Sequence, residues 1–204
     1  MNDISTLLQQ RASQRHYDSQ KTLSHKEIEH LIALSTTAPS AYNRQNWHFI
    51  AVSSAPAKTK LQRLAYDQPQ VGDAAVTFIV CGDLNSHTGL AEILAPNVDS
   101  GKLPAALVES WCEAMAQSHG NSEQLRRDEA IRSASLAAMT LMIAAQGLGL
   151  ASGPMTGFDD SAVSETFGLA DNLIPVMLIT VGYAKEQPAS ERIRRPLAEV
   201  LRFS

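Results

Sequence analysis

Apolar and polar positions follow two distinct rhythms along this chain. Ile28, Leu31 and Ile32 recur at helical spacing and predict a helix over residues 24–36. Ser24 followed by Glu27 forms a capping box, and Leu23 and Ile28 occupy the staple positions that fix how the chain enters that helix. Pro39 closes the region. Further helices are predicted over 4–10, from Pro56 to Tyr66, over 105–118, and from Asp159 or Asp160 to Gly168. The second rhythm is continuous. Ala74 to Cys81 (AAVTFIVC) and Leu173 to Tyr183 (LIPVMLITVGY) are unbroken, β-branched runs, the signature of strands buried on both faces. Trp47 to Val52 reads as a third strand. Residues 84–106, rich in Gly, Pro and Asn, read as irregular, as does the charged tail 185–204.

The longest helical pattern runs from Arg127 to Gln146 and stops at Gly147 and Gly149. Its second half, from Ala134 to Ala145, is small and apolar all round, so it calls for burial on every side. In a chain of 204 residues, packing part of it on a second subunit achieves that. Strands and helices mix without regular βαβ alternation. The fold class is therefore α+β, one sheet with helices packed on it, in a single domain over 1–204 without repeat or linker.

Composition narrows the function. Hydrophobic residues at 44% against 19% charged predict a packed globule. A net charge of -4 argues against a nucleic-acid partner. The two cysteines, Cys81 and Cys112, form no CxxC, which argues against a disulfide framework and a structural zinc. Met1-Asn2-Asp3-Ile4 does not open a signal peptide, and the most apolar stretch, Ala134 to Leu150, is interrupted by polar residues and falls short of a bilayer span. A cytoplasmic setting without a membrane partner follows as the expectation. G-x-S-x-G, the P-loop and H-E-x-x-H are all absent, and His25 and His30 are poorly spaced for a shared metal, so no metal site is expected.

Four constellations remain. In Arg11-Ala12-Ser13-Gln14-Arg15, an extended chain would turn residues 11, 13 and 15 to one side, presenting two guanidinium groups and a hydroxyl. That set suits a phosphate, although a solvated basic surface has the same pattern. Arg192-Ile193-Arg194-Arg195-Pro196 repeats the alternation, and two such clusters in an acidic protein point to a local anion site. Between a helix and a strand, Ser40, Asn43, Arg44, Gln45 and Asn46 concentrate amides that both donate and accept, as the edge of a flavin ring requires. Finally, glycines in Gly147-Leu148-Gly149 and Gly153-Pro154-Met155-Thr156-Gly157 allow backbone to approach a flat ligand, or simply end a helix and turn. Their spacing is not that of a dinucleotide fold.

Taken in order, these landmarks resemble the nitroreductase family of FMN-dependent oxidoreductases. They are Arg11-x-Ser13-x-Arg15, Pro39-Ser40-x-x-Asn43-x-Gln45-x-Trp47, the strand at 74–81, the long helix into Gly147-Leu148-Gly149, Pro154-x-x-Gly157-Phe158, Phe167-Gly168-Leu169, and Pro175 to Gly182 followed by Arg192-x-Arg194-x-Pro196. The resemblance implies a central, mostly antiparallel sheet flanked by helices, in an intertwined homodimer with two FMN sites built from both chains. By position, Arg11, Ser13, Arg15 and Arg194 would hold the phosphate, with Arg192 a weaker candidate. Ser40, Asn43 and Gln45 would meet the ring or ribityl chain, and Gln68 and Gln70 the ring. The backbone of Pro154, Met155, Thr156 and Gly157 would lie near the reactive nitrogen. Trp111 and Met115 are candidates for the substrate pocket, with ordinary helix packing the alternative. Asn46 stands where the family often has Pro, and Thr156 where one branch carries Glu, so nicotinamide contacts do not transfer.

The implied activity is hydride transfer from NADH or NADPH to the flavin and on to nitroaromatics, quinones or free flavins by a ping-pong mechanism. Arg15 would stabilise the reduced ring, and no general acid or base is identifiable. Dehalogenation, enone reduction, flavin breakdown, a flavin-binding protein without turnover and an anion-binding interaction module are the alternatives.

Overall fold

The computed structural model describes residues 4–85, 87–186 and 193–204. Its frame is a four-stranded sheet, antiparallel throughout, in the order β1 (Trp47–Val52), β2 (Val76–Asp83), β4 (Leu173–Gly182), β3 (Ala151–Met155). The two continuous apolar runs are the two central strands. Side chains alternate along β2: Phe78 and Val80 enter one core, Ile79 and Cys81 the other. A strand that feeds two cores has no polar face to show. Cys81 lies so deep that burial pushes its thiol up to about 12.

On the first face pack α2 (His25–Ser35) and α7 (Glu123–Gly147), bringing Leu31, Ala134, Ala138, Leu141 and Ala145 against Phe78, Val80, Ile179 and Val181. The capping box is present: Glu27 N–H donates to Ser24 Oγ at 3.3 Å, and Ser24 N–H to Glu27 Oε2 at 2.7 Å. Alanines let α7 lie close to the sheet. A Cβ added at Gly82 would stand 2.6 Å from Ala130 O, so that contact needs glycine. On the second face, α3 (Ala55–Leu64), α4 (Pro69–Asp73) and α8 (Asp160–Phe167) cover Ile79, Cys81 and Leu178 through Leu61, Val71 and Val163. The hairpin α5 (Leu90–Asp99) and α6 (Ala105–His119) makes a third, smaller core of Leu90, Leu94, Val108 and Met115.

The structure departs from the sequence reading in several places. The segment expected to be irregular contains α5, which begins after the left-handed Gly89 with no side-chain cap and carries Pro96 inside it. Both features mask a helix from propensity reading. The long helix starts at Glu123, with Ser122 accepting from Leu125 N–H. Gly153-Pro154-Met155, read as a turn, belongs to β3, an edge strand where a proline costs no ladder bond. A short α9 (Leu197–Val200) interrupts the tail. Finally, α7 is not buried all round within one chain: Leu136 and Met139 are 41% and 39% exposed. Among the described residues, no helix is long and apolar enough to cross a membrane.

Candidate functional site

After α1 (Ile4–Gln10) the chain runs as an arm along the free edge of β3. Ser13 forms a parallel bridge with Ser152, Gln14 N–H donates to Ser152 O at 2.9 Å, and Tyr17 pairs with Ala184 beyond β4. Gln14 is buried and serves as an internal splint. Its Oε1 accepts from the N–H groups of Arg15 (2.8 Å) and His16 (3.1 Å), and its Nε2 donates to Glu186 O (2.8 Å). The extended arm thus exists because side chain and strand edge satisfy its backbone.

The arm walls a cavity of about 470 Å³, within the range of small-molecule and cofactor sites. Arg11, Ser13, Gln14 and Arg15 line it from the arm, Gln68 and Gln70 from the turn into α4, residues 153–157 from β3 and its exit, and Arg194 from the tail. Among the described residues, that lining contains three arginines and no carboxylate. Arg11 Nη1 is buried with no hydrogen-bond partner among the described residues, a costly state for a cation unless an anion meets it. The amides are pre-aligned: Gln68 Nε2 donates to Gly157 O at 3.1 Å, and Gln70 Nε2 to Gln68 Oε1 at 2.9 Å. Left-handed Tyr66 and Asp67 turn the chain sharply enough to present them. A second cavity, of about 540 Å³, mixes Arg126 and Arg127 with Glu123 and Asp171, so its charges offset one another.

Twelve residues therefore converge on one cavity, among them most of those singled out from sequence. Gln14 was passed over because strict alternation turns it away from residues 11, 13 and 15; only its amide hints at the splint. Arg192 lies outside the described residues. Ser40, Asn43 and Gln45 come together in a separate loop and do not line this cavity. Ser40 Oγ accepts from Gln45 N–H at 2.8 Å, and Tyr42, Asn43 and Gln45 all hold positive φ. Such density of left-handed non-glycine residues is strain of the kind that gathers at functional sites. Between the exposed Asn43 and Gln45, the buried Arg44 pins the loop by donating from Nη2 to Asn85 O at 2.9 Å. Burial draws its pKa down, opposed by the charges of Asp83 and Glu92. Asn46 is buried with neither side-chain polar atom partnered among the described residues.

Trp111 and Met115 lie on α6, away from the cavity lining. Trp111 meets the Tyr42 ring at 5.8 Å, edge to face, while Met115 is wholly buried in the core between α5 and α6. Trp111 thus ties the helical hairpin to the strained loop. Among the described residues, no three of His, Cys, Asp and Glu converge as a metal site would require.

Comparison with known proteins supplies the family. The model of the Nitroreductase family matches residues 8–183. YodC of Bacillus subtilis, provisionally named an NAD(P)H nitroreductase, is 35% identical over 202 residues, covering 98% of both chains. A CLA biosynthesis enone reductase of Lactiplantibacillus plantarum is 28% identical over 192 residues, covering 92% of this chain and 88% of that one. Among solved structures, a provisionally named nitroreductase of Exiguobacterium sibiricum in complex with FMN superposes with a TM-score of 0.93 at 26% identity, over 100% of this chain and 98% of the other.

Proposed function

The chain belongs to the Nitroreductase family, and from that premise we propose that it is an FMN-dependent NAD(P)H oxidoreductase reducing nitroaromatics, quinones or similar flat, electron-poor acceptors. The observation that carries this reading is the arginine-lined cavity, which among the described residues holds no carboxylate and leaves a buried nitrogen of Arg11 unpartnered. Those residues fit FMN: three cations and the Ser13 hydroxyl suit a dianionic phosphate, and the Gln68–Gln70 amides suit an edge that alternates donors and acceptors. When bound, FMN supplies the hydride chemistry between NAD(P)H and acceptor.

The chain's own groups bind and orient. Arg11, Ser13, Arg15 and Arg194 hold the phosphate, and Gln68 is held on Gly157 O so that its amide is already aimed. Arg15 is also the cation that steadies negative charge on the reduced ring; an unchanged midpoint potential in Arg15→Ala would remove that role. The backbone from Pro154 to Gly157 offers a flat, close approach. Donor and acceptor meet the flavin at one site in turn, which gives ping-pong kinetics.

The functional unit we propose is a homodimer. Support comes from the exposed Leu136 and Met139 on α7 and from Leu197, Val200, Leu201 and Phe203 in the tail, at 51–88% exposure. A second copy also gives the strained Ser40–Gln45 loop a role, as the partner's contribution to each cavity.

The test is the visible spectrum of the purified protein, followed by NADH and NADPH without oxygen. Flavin bands that bleach establish the reductase and its donor. Bands that persist favour a binding protein, and no bands after soaking with FMN refute the reading. Enone acceptors belong beside nitroaromatics and quinones in the acceptor panel, given the likeness to an enone reductase.

A further inference from the structure

Against two residues of the cavity lining, Gln14 and Gly153, lies a polar node that the proposed chemistry does not use. Tyr17, at the end of the arm, is 3% exposed, and Thr180, near the C-terminal end of β4, is fully buried. Their hydroxyls are 2.9 Å apart. Thr180 Oγ1 donates to Gly153 O at 3.1 Å, which spends its only proton. With that proton on Gly153 O, Tyr17 Oη–H can donate to Thr180 Oγ1, which links Tyr17 through Thr180 to Gly153. Tyr17 Oη also lies 3.2 Å from Thr180 O and 3.5 Å from Gln14 O. Three segments meet at this one point: the arm that carries Arg11, Ser13 and Arg15, the central strand β4, and the residue before Pro154.

The node is built to a tight tolerance. A Cβ on Gly153 would stand 2.5 Å from Gln14 O, 2.9 Å from Thr180 Oγ1 and 3.3 Å from Tyr17 Oη. Nothing larger than hydrogen fits where arm and strand cross. An apolar pair would pack a sheet as well as Tyr17 and Thr180 do. What the hydroxyls add is a fixed distance and direction between two walls of the cavity. Burial drives the phenol pKa upward, which keeps it a neutral donor at any working pH.

Resting on the FMN reading above, we propose that Tyr17 and Thr180 are positioning residues that lock the phosphate-binding arm to the Gly153–Gly157 wall, so that phosphate and ring are gripped together. The consequence is specific. Affinity for the phosphate should depend on the node, although neither residue lines the cavity.

The experiment compares Tyr17→Phe, Thr180→Val and Thr180→Ser with the parent protein. Each is stripped of flavin and titrated with FMN and with riboflavin, following flavin fluorescence, and the flavin-free unfolding midpoint is measured alongside. Both hydroxyl deletions keep the side chain's shape, and they break the link from opposite sides, so one folded variant suffices. The expected result is FMN binding weakened about five- to tenfold, the scale of one buried hydrogen bond, with riboflavin binding changed much less. The parent's preference for FMN over riboflavin should shrink accordingly. Thr180→Ser, which retains the hydroxyl, should restore it. A lower unfolding midpoint with the FMN preference intact would overturn the proposal, since the node would then only support the fold. A parent protein that binds no flavin at all would overturn the FMN reading itself, and this proposal with it.

Discussion

Replacing Arg11 by methionine should move two measurable quantities in opposite directions. The substitution keeps an unbranched side chain but removes the guanidinium, whose Nη1 is buried and unpartnered among the described residues. Leaving such a donor unsatisfied costs about 1–3 kcal/mol, so the flavin-free Arg11→Met protein should be more stable, by up to roughly that amount. FMN works against that gain. Charge-assisted hydrogen bonds are worth about 1.5–3 kcal/mol, which is about 10- to 150-fold in Kd. FMN present at about 100 times the parent's Kd stabilises the parent by about 2.7 kcal/mol; a tenfold loss of affinity cuts this to about 1.4. Urea unfolding with and without FMN, together with a fluorescence titration for Kd, measures both arms. A flavin-free protein destabilised by more than about 1 kcal/mol, with Kd unchanged, would show that Arg11 supports the fold and that the cavity's charge serves something else.

Other expectations follow from the same structure. Gly82→Ala forces a methyl against Ala130 on α7 and should cost about 1–3 kcal/mol, read as a lower urea midpoint; an unchanged midpoint would mean that helix and sheet are not held that closely. Glu27 has a lowered pKa because Ser24 donates to it from both its side chain and its backbone. Its contribution is therefore complete above the ordinary carboxylate pKa and fades as pH falls through the lowered, folded value; Glu27→Gln should flatten the acid side of the stability profile, and an unaltered profile would count against it. Leu136→Glu combined with Met139→Glu places charge on the exposed stripe of α7 and should give monomers by light scattering; a dimer of undiminished affinity would move the interface elsewhere.

Much of the fold was legible because some local signals admit one interpretation. The run AAVTFIVC has no polar face, so only a strand between two cores accommodates it, and β2 is that strand. Ser24 and Glu27 likewise fix the start of α2 whatever packs on it. The strand β3 stayed hidden because Ala151–Met155 contains a glycine and a proline, both tolerated only because this is an edge and because an arm crosses at Gly153. That crossing is a long-range fact with no local trace. Helix α5 was masked in the same way, being held by its contacts with α6 and not by caps. In the site, the alternation in residues 11–15 identified the arginines but concealed Gln14, since alternation describes direction and not hydrogen bonding. The apolar girth of α7 was legible too, and with it the call for a second surface: one chain leaves Leu136 and Met139 uncovered.

The arm's seat on β3 also orders events during synthesis. Residues 11–17 leave the ribosome early, yet the edge that receives them contains Ser152 and Gly153, and Arg194 comes later still. Until then the arm has nowhere to dock, although α2, β1 and β2 already exist to begin a core. The cavity is thus among the last features the nascent chain acquires. A chain that stops short of Arg194 has an incomplete ring of cations, whatever part of it has folded. Under the FMN reading, a chain cut before Arg194 should hold flavin less tightly than one that reaches it, so colour in a preparation reports how far its chains extend.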